Sequence, residues 1–187
     1  MLAGLSSTTS GVFRGAAAVA AGVSRRQLVD LCTEGAIERV LPDTYRLTAV
    51  PRSRRQRLDA ALIWAGEASV AEGRSAGGVY GLEAVRAERP EVSVPRNVMR
   101  RHASVSVSRT DRRDALMIRR FDGVRVTGVE ATIVRLAHLL TDEALEIACR
   151  NGVCLRATAS NWSWRPSEGS RRIHVDFLTE LRAALSS

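Results

Sequence analysis

The sequence predicts an α+β protein. A small N-terminal module of helices and one hairpin comes first. A mixed α/β domain with antiparallel hairpins and C-terminal helices follows. Three observations carry this. A short alanine-rich run, a glycine and a capped helix precede two strand-like runs within residues 11–50. Pro51 and the basic run RSRRQR then mark a boundary. Beyond it, runs alternating with period two are interleaved with runs at helical spacing.

Taken in order, residues 1–10 read as the tail of a helix whose front is missing, either because the start lies upstream or because the helix is degraded. Arg14 to Ala21 is alanine-rich and predicts a short helix, ended by Gly22. Ser24 starts the next one. Ser24 and Gln27 form an S-x-x-Q capping box, and Val23 with Leu28 fits the hydrophobic staple. Leu28, Leu31 and Cys32 recur at helical spacing and mark its buried face, and Gly35 ends it. AIERV and TYRLTAV predict two strands joined by LPD.

After Pro51 a helix is expected over about residues 53–65, with Leu58, Ala61 and Leu62 turned inward. A turn, a short strand and a small-residue helix from about Ser75 come next. PEVSVP and ASVSVSR alternate as strands, and LMIRRFDGVRVTG predicts a hairpin about Asp122-Gly123. Helices are expected at about 129–140 and 142–150, the second capped by Thr141. RATASNWSWRPSEGSRR has weak periodicity and reads as loop, before a last helix at roughly 172–185. The expected divisions are 1–50, 51–155, and 156–187, the last a loop and helix packing on the second domain.

Composition narrows the function. The chain has 187 residues, a formal charge of +8 and 28 basic residues, all of them arginine. A GC-rich genome explains arginine over lysine. The net charge fits a phosphate-rich partner, since the guanidinium fork matches phosphate. Three cysteines (Cys32, Cys149 and Cys154) show neither a disulfide framework nor a zinc spacing. His102, His138 and His174 are far apart, so no metal and no cofactor is expected. No apolar run reaches the length of a membrane span, and no secretory leader is evident. The expected location is the cytoplasm.

Two stretches carry chemistry. The first is GVSRRQLVDLCTEGAIERVLPDTYRL, whose order of helix, tight turn, helix and hairpin is that of a winged helix-turn-helix. Ser24 would cap the second helix while Arg25, Arg26 and Gln27 enter a DNA groove. Arg39, Thr44 and Arg46 would supply wing contacts, and Arg54 and Arg55 would extend the footprint. An ordinary helix and hairpin with solvated arginines gives the same pattern. The second stretch is GRSAG, Gly73 to Gly77, which formally matches the G-x-S-x-G nucleophile elbow. The remaining chain is short for a hydrolase sheet, and the later strands read as hairpins. Ser75 is therefore expected to be a helix N-cap, and no catalytic role is assigned. Trp162 and Trp164 could stack on bases, but more often such residues pin a loop to the core.

The run VFRGAAAVAAGVSRRQLVDLCTEGAIERVLPDTYRL resembles the winged-helix domain of the AbiEi-type antitoxins, regulators of type IV toxin–antitoxin systems. The resemblance rests on Ala21-Gly22, Ser24-Arg25, Leu28, Gly35 and Tyr45. It continues in RRQRLDAALIWAGEASVAEGRSAGGVYGLEAV, PEVSVP and IRRFDGVRVTGVEATIVRLAHLL, about residues 11–150 in all. It implies a repressor that binds double-stranded operator DNA of its own operon. It also implies a second domain that counteracts a nucleotidyltransferase-like toxin without needing a stable complex with it. Where the family carries Arg-Thr and a later Asp, this chain has Ala131-Thr132 and Arg135. Many relatives continue into a nuclease-like domain; the match fades beyond about Cys154, so nuclease activity is not carried over. The alternative is a protein-interaction module whose winged helix is vestigial.

Overall fold

The computed structural model describes residues 4, 6 and 8–150. The expected loop and helix of 156–187, with Trp162, Trp164 and His174, lie outside the described residues. Among the described residues the strands form two sheets, joined by one long helix.

The first sheet is antiparallel in the order β1-β3-β2, from β1 (Val12–Arg14), β2 (Ile37–Leu41) and β3 (Thr44–Leu47). Between β1 and β2 lie α1 (Gly15–Ala20) and α2 (Arg25–Thr33). The strand β1 was not expected. Three residues show no alternation to read, and β1 exists because it pairs with β3, Phe13 opposite Tyr45. The two rings stack with centroids 5.8 Å apart.

The turn between α1 and α2 follows from local hydrogen bonding. Gly22, at φ +96°, donates to the Val19 carbonyl, and Val23 donates to that of Ala18. This is the Schellman arrangement, which satisfies the last carbonyls of α1. Val23 is at once the residue that closes α1 and the staple that opens α2. It is buried with Ala18 and Leu28 in a small core that also holds Phe13 and Ile37. The far end of α2 repeats the device. Gly35, at φ +75°, donates to Cys32, and Ala36 donates to Leu31.

The second sheet has five strands in the order β6-β5-β4-β8-β7. They are β4 (Val70–Ala71), β5 (Glu91–Pro95), β6 (Ser106–Thr110), β7 (Arg119–Phe121) and β8 (Val124–Val126). The expectation of hairpins holds only for β7–β8, which turn through Asp122 and Gly123, both at positive φ. The run β5–β6 is parallel, Val92 opposite Val107, and β4 pairs in parallel with β8. Period-two alternation defines a strand but not its direction. Here the connection over residues 96–105 returns the chain so that β6 runs beside β5 in the same direction. Around this sheet lie α3 (Arg54–Ala65), α4 (Gly73–Val79), α5 (Val129–Ala137) and α6 (Asp142–Arg150), the last capped by Thr141.

The helix α3 packs on all three strands of the first sheet and on β4 and β5 of the second. Val12 and Leu41, from the first sheet, belong to the same buried cluster as Trp64, Val92, Val126 and Leu136. The N-terminal module is therefore docked on the body through a shared core.

Candidate nucleic-acid interface

The outer surface of the N-terminal module is built on the start of α2. Ser24 is extended and its hydroxyl accepts from the Gln27 amide at 3.1 Å. The Gln27 side-chain oxygen in turn accepts from the Ser24 amide at 2.8 Å. This reciprocal box fixes the first turn of α2, and the burial of Val23 and Leu28 fixes its roll. Arg25, Arg26, Val29 and Asp30 consequently lie on the open side, with Val29 63% exposed. Neither arginine has an ion-pair partner among the described residues. A first turn also presents free backbone N–H groups, and two outward cations beside them make a surface suited to anions. Gln27 has its oxygen committed to the cap and keeps its amide N–H groups for other partners.

The β2–β3 hairpin differs. Arg39 is exposed on β2, but Thr44 is 0% and Arg46 only 7% exposed. Neither can form a wing contact as expected. The reason is the position of β3, which is the central strand of its sheet and is covered by α3. Alternate residues Tyr45 and Leu47 pack toward the small core, which turns Thr44 and Arg46 toward α3. Arg46 donates from Nε to Glu38 at 2.9 Å, and from Nη1 to the Val50 carbonyl at 2.9 Å and to Gln56 Oε1 at 3.0 Å.

This network continues as a polar seam along α3. Gln56 donates to the Ser10 carbonyl, and the Ser10 hydroxyl donates to Asp59 at 2.8 Å. Asp59 accepts from Arg55 Nε at 3.1 Å. Arg55 reaches on to the carboxylate and carbonyl of Asp122, in the β7–β8 turn. Arg55 is thus a tie between helix and hairpin, half-buried, and not the free extension of a footprint. Arg54 remains exposed. At the other end Arg52 clasps both oxygens of Glu38.

The charges respond to these surroundings. The hydrogen bond from Arg46 holds the Glu38 carboxyl below its ordinary value, against the effect of burial and with help from Arg52. Asp59 is pushed the other way: burial raises it, and the bonds from Ser10 and Arg55 only partly offset this. For Arg55 burial opposes the cation, but the bonds to Asp122 and Asp59 prevail and raise it. The asymmetry within the Arg55–Asp59 pair has a simple cause. Arg55 is bonded to two carboxylates, one of them the exposed Asp122, whereas Asp59 is buried.

The sequence reading missed Ser10, Glu38, Gln56, Asp59 and Asp122. A signal was present. Gln56 and Asp59 stand three apart in a helix whose neighbours Leu58, Ala60 and Ala61 are buried, so two polar groups occupy the core side. Buried polar groups call for partners.

Ser75 is corrected as well. The N-cap of α4 is Glu72, and Ser75 sits inside the first turn. Its hydroxyl is buried and accepts from the Glu91 amide at 2.8 Å, which ties α4 to β5. Arg135, one of the family departures, is exposed on α5, and Thr132 is buried against Thr127.

Comparison with known proteins then adds one decisive observation. Residues 2–48 match the family described as "Transcriptional regulator, AbiEi antitoxin". The span ends just past β3. It takes in the capping box, both Schellman turns and the hairpin. The AbiEi resemblance read from the residues thus holds over its N-terminal block. No curated protein matches the chain. Among solved structures, the chain is similar to the RV2827C protein from Mycobacterium tuberculosis, with 19% identity and a TM-score of 0.50. The match covers 84% of this chain and 73% of that one, and it supports the mixed arrangement of helices and sheets. Among the described residues no helix is long and apolar enough to cross a membrane.

Proposed function

We propose that this chain is a DNA-binding transcriptional repressor and antitoxin-like protein that autoregulates its operon within a type IV toxin–antitoxin system. In this reading α1, α2 and the β2–β3 hairpin form a winged helix-turn-helix. The observation that carries the reading is the first turn of α2. There Arg25 and Arg26 are outward and without an ion pair among the described residues, on a helix start fixed by Ser24 and Gln27, inside the span matched by the regulator family. Arg25 and Arg26 would meet base edges or phosphates, with the Gln27 amide beside them. Arg39 is the wing cation that solvent can reach, and Arg54 is a supporting contact. The partition at Pro51, with 51–155 counteracting a nucleotidyltransferase-like toxin, belongs to the same proposal, as does cytoplasmic location. No step of it needs catalysis.

The test is binding of the purified chain to its own upstream DNA, followed by fluorescence anisotropy against salt. The affinity should fall steeply with salt, because each neutralised phosphate releases counterions. Arg25→Ala with Arg26→Ala should weaken binding by about tenfold or more. Wild-type affinity in that double variant would remove α2 as the reading helix. A stable toxin complex with no binding to the upstream DNA would favour the interaction-module alternative.

A further inference from the structure

A cleft among the described residues lies away from α2, in the body. It is walled by α3, by α4 and by the segment 81–90, and has a volume of about 530 Å³. That falls within the usual range of small-molecule sites. Five arginines line it: Arg54, Arg55, Arg57, Arg74 and Arg86. Two are engaged by carboxylates, Arg55 by Asp59 and Asp122, and Arg74 by Glu91. Arg54, Arg57 and Arg86 are exposed and have no ion pair among the described residues. Against them the lining offers one carboxylate outside those pairs, Glu83.

The other half of the lining is apolar. Leu58, Leu82 and Val85 are buried and form part of the wall. Gly78 and Gly81 also line it, and a Cβ at either would meet only open space. We propose that this cleft binds a small phosphorylated ligand of mononucleotide size. The phosphate would be held by Arg57 and Arg86, with Arg54 at the rim. The ring would lie on Leu58, Leu82 and Val85.

Three unpaired guanidiniums around one concavity repel each other, and an anion among them relieves that repulsion. Their planar forks suit the oxygens of a phosphate. A concave wall that is half apolar suits a compact ligand with a hydrophobic part. A duplex backbone offers neither that shape nor that surface. Arg54 is shared with the proposed DNA footprint, but Arg57 and Arg86, which would hold the phosphate, lie outside the proposed DNA contacts, so the two can be tested apart.

The experiment is calorimetric titration of the full chain, at low salt, with AMP, adenosine and inorganic phosphate as probes. AMP should bind more tightly than adenosine or phosphate alone, because only AMP engages both halves of the cleft. Arg57→Ala with Arg86→Ala should weaken AMP by about tenfold or more, while leaving binding to the upstream DNA unchanged. Arg25→Ala with Arg26→Ala should bind AMP as wild type does, so the two proposals can fail separately. Absence of AMP binding overturns the site, and so does unchanged AMP affinity in the Arg57/Arg86 variant. Loss of upstream DNA binding in that variant, without any AMP binding in the wild type, would assign the cleft to the DNA footprint instead.

Discussion

The first turn of α2 and the seam beneath β3 are both built around arginine, and they treat the charge in opposite ways. Arg25 and Arg26 are exposed and, among the described residues, free of carboxylates. Arg46 is 7% exposed and spends its donors on Glu38, Gln56 and the Val50 carbonyl. A cation left in water is available to a partner at little cost. A cation withdrawn from water must be satisfied by the protein itself, and is then no longer available. The difference teaches that charge count does not locate a binding face. Which side of the sheet receives a helix decides it.

The largest expected effect tests that contrast directly. Arg46→Ala leaves the buried Gln56 oxygen and the Val50 carbonyl without their donor, so it should lower stability by about 3 kcal/mol. Arg26→Ala should change stability by no more than about 0.5 kcal/mol, yet it should weaken DNA binding. Urea unfolding of both variants measures this. Equal stability of Arg46→Ala and wild type would break the comparison.

Next in size is the shared core. Val12 is 0% exposed and belongs to the cluster that holds Trp64 and Leu136 of the body. Val12→Ala should cost roughly 2 kcal/mol, from lost burial and the gap left behind. Because the core is common, the N-terminal module and the body should unfold in one transition. Hydrogen exchange in α2 that opens at much lower urea than exchange in β5 would mean that the seam does not couple them.

These two cases also mark what was legible in the sequence. The ends of α1 and α2 were legible because caps, staples and glycine stops act over a few residues. The capping box at Ser24 and Gln27, and the stops at Gly22 and Gly35, therefore follow from local chemistry alone. The β7–β8 hairpin was legible because Asp122-Gly123 sets its turn. What failed is set by contacts distant in sequence. The pairing direction of β5 and β6, the existence of β1, and the burial of Thr44 and Arg46 all depend on what packs where. Thr44 and Arg46 were expected to supply wing contacts from the hairpin. The arrival of α3 on their face turned both expected contacts into structural residues. Ser75 failed likewise, since its partner is the Glu91 amide on another element.

A smaller effect isolates the local part of the argument. Ser24→Ala removes the acceptor of the Gln27 backbone amide and leaves only the bond from the residue-24 amide to the Gln27 side chain. It should cost about 1 kcal/mol, and Ser24→Gly rather less. The informative measurement is affinity for the upstream DNA at a temperature where both variants are fully folded. If the cap orients Arg25 and Arg26, Ser24→Ala should weaken binding more than its loss of stability explains. Unchanged affinity would show that the burial of Val23 and Leu28 suffices to orient the helix.

The smallest effect comes from two carboxylates of one seam. Glu38 is held below its ordinary value, first by the hydrogen bond from Arg46. Its contribution is therefore complete above the unfolded value of 4.5 and is lost as pH falls through the lower folded value. Asp59 is raised above its ordinary 3.8, first by burial. Its linkage has the opposite sign: the stability it contributes is present at low pH and is lost as pH rises through the raised value. The stability gap between wild type and Glu38→Gln should accordingly shrink as the medium is acidified from about pH 5 to about pH 3. For Asp59→Asn, wild type should gain on the variant as pH falls through the raised Asp59 value. Urea midpoints across that interval give both slopes. Slopes of the same sign would mean that Asp59 is governed by Arg55 and not by its burial. The inner surface of the module would then resemble the outer one more closely than the geometry of the seam implies.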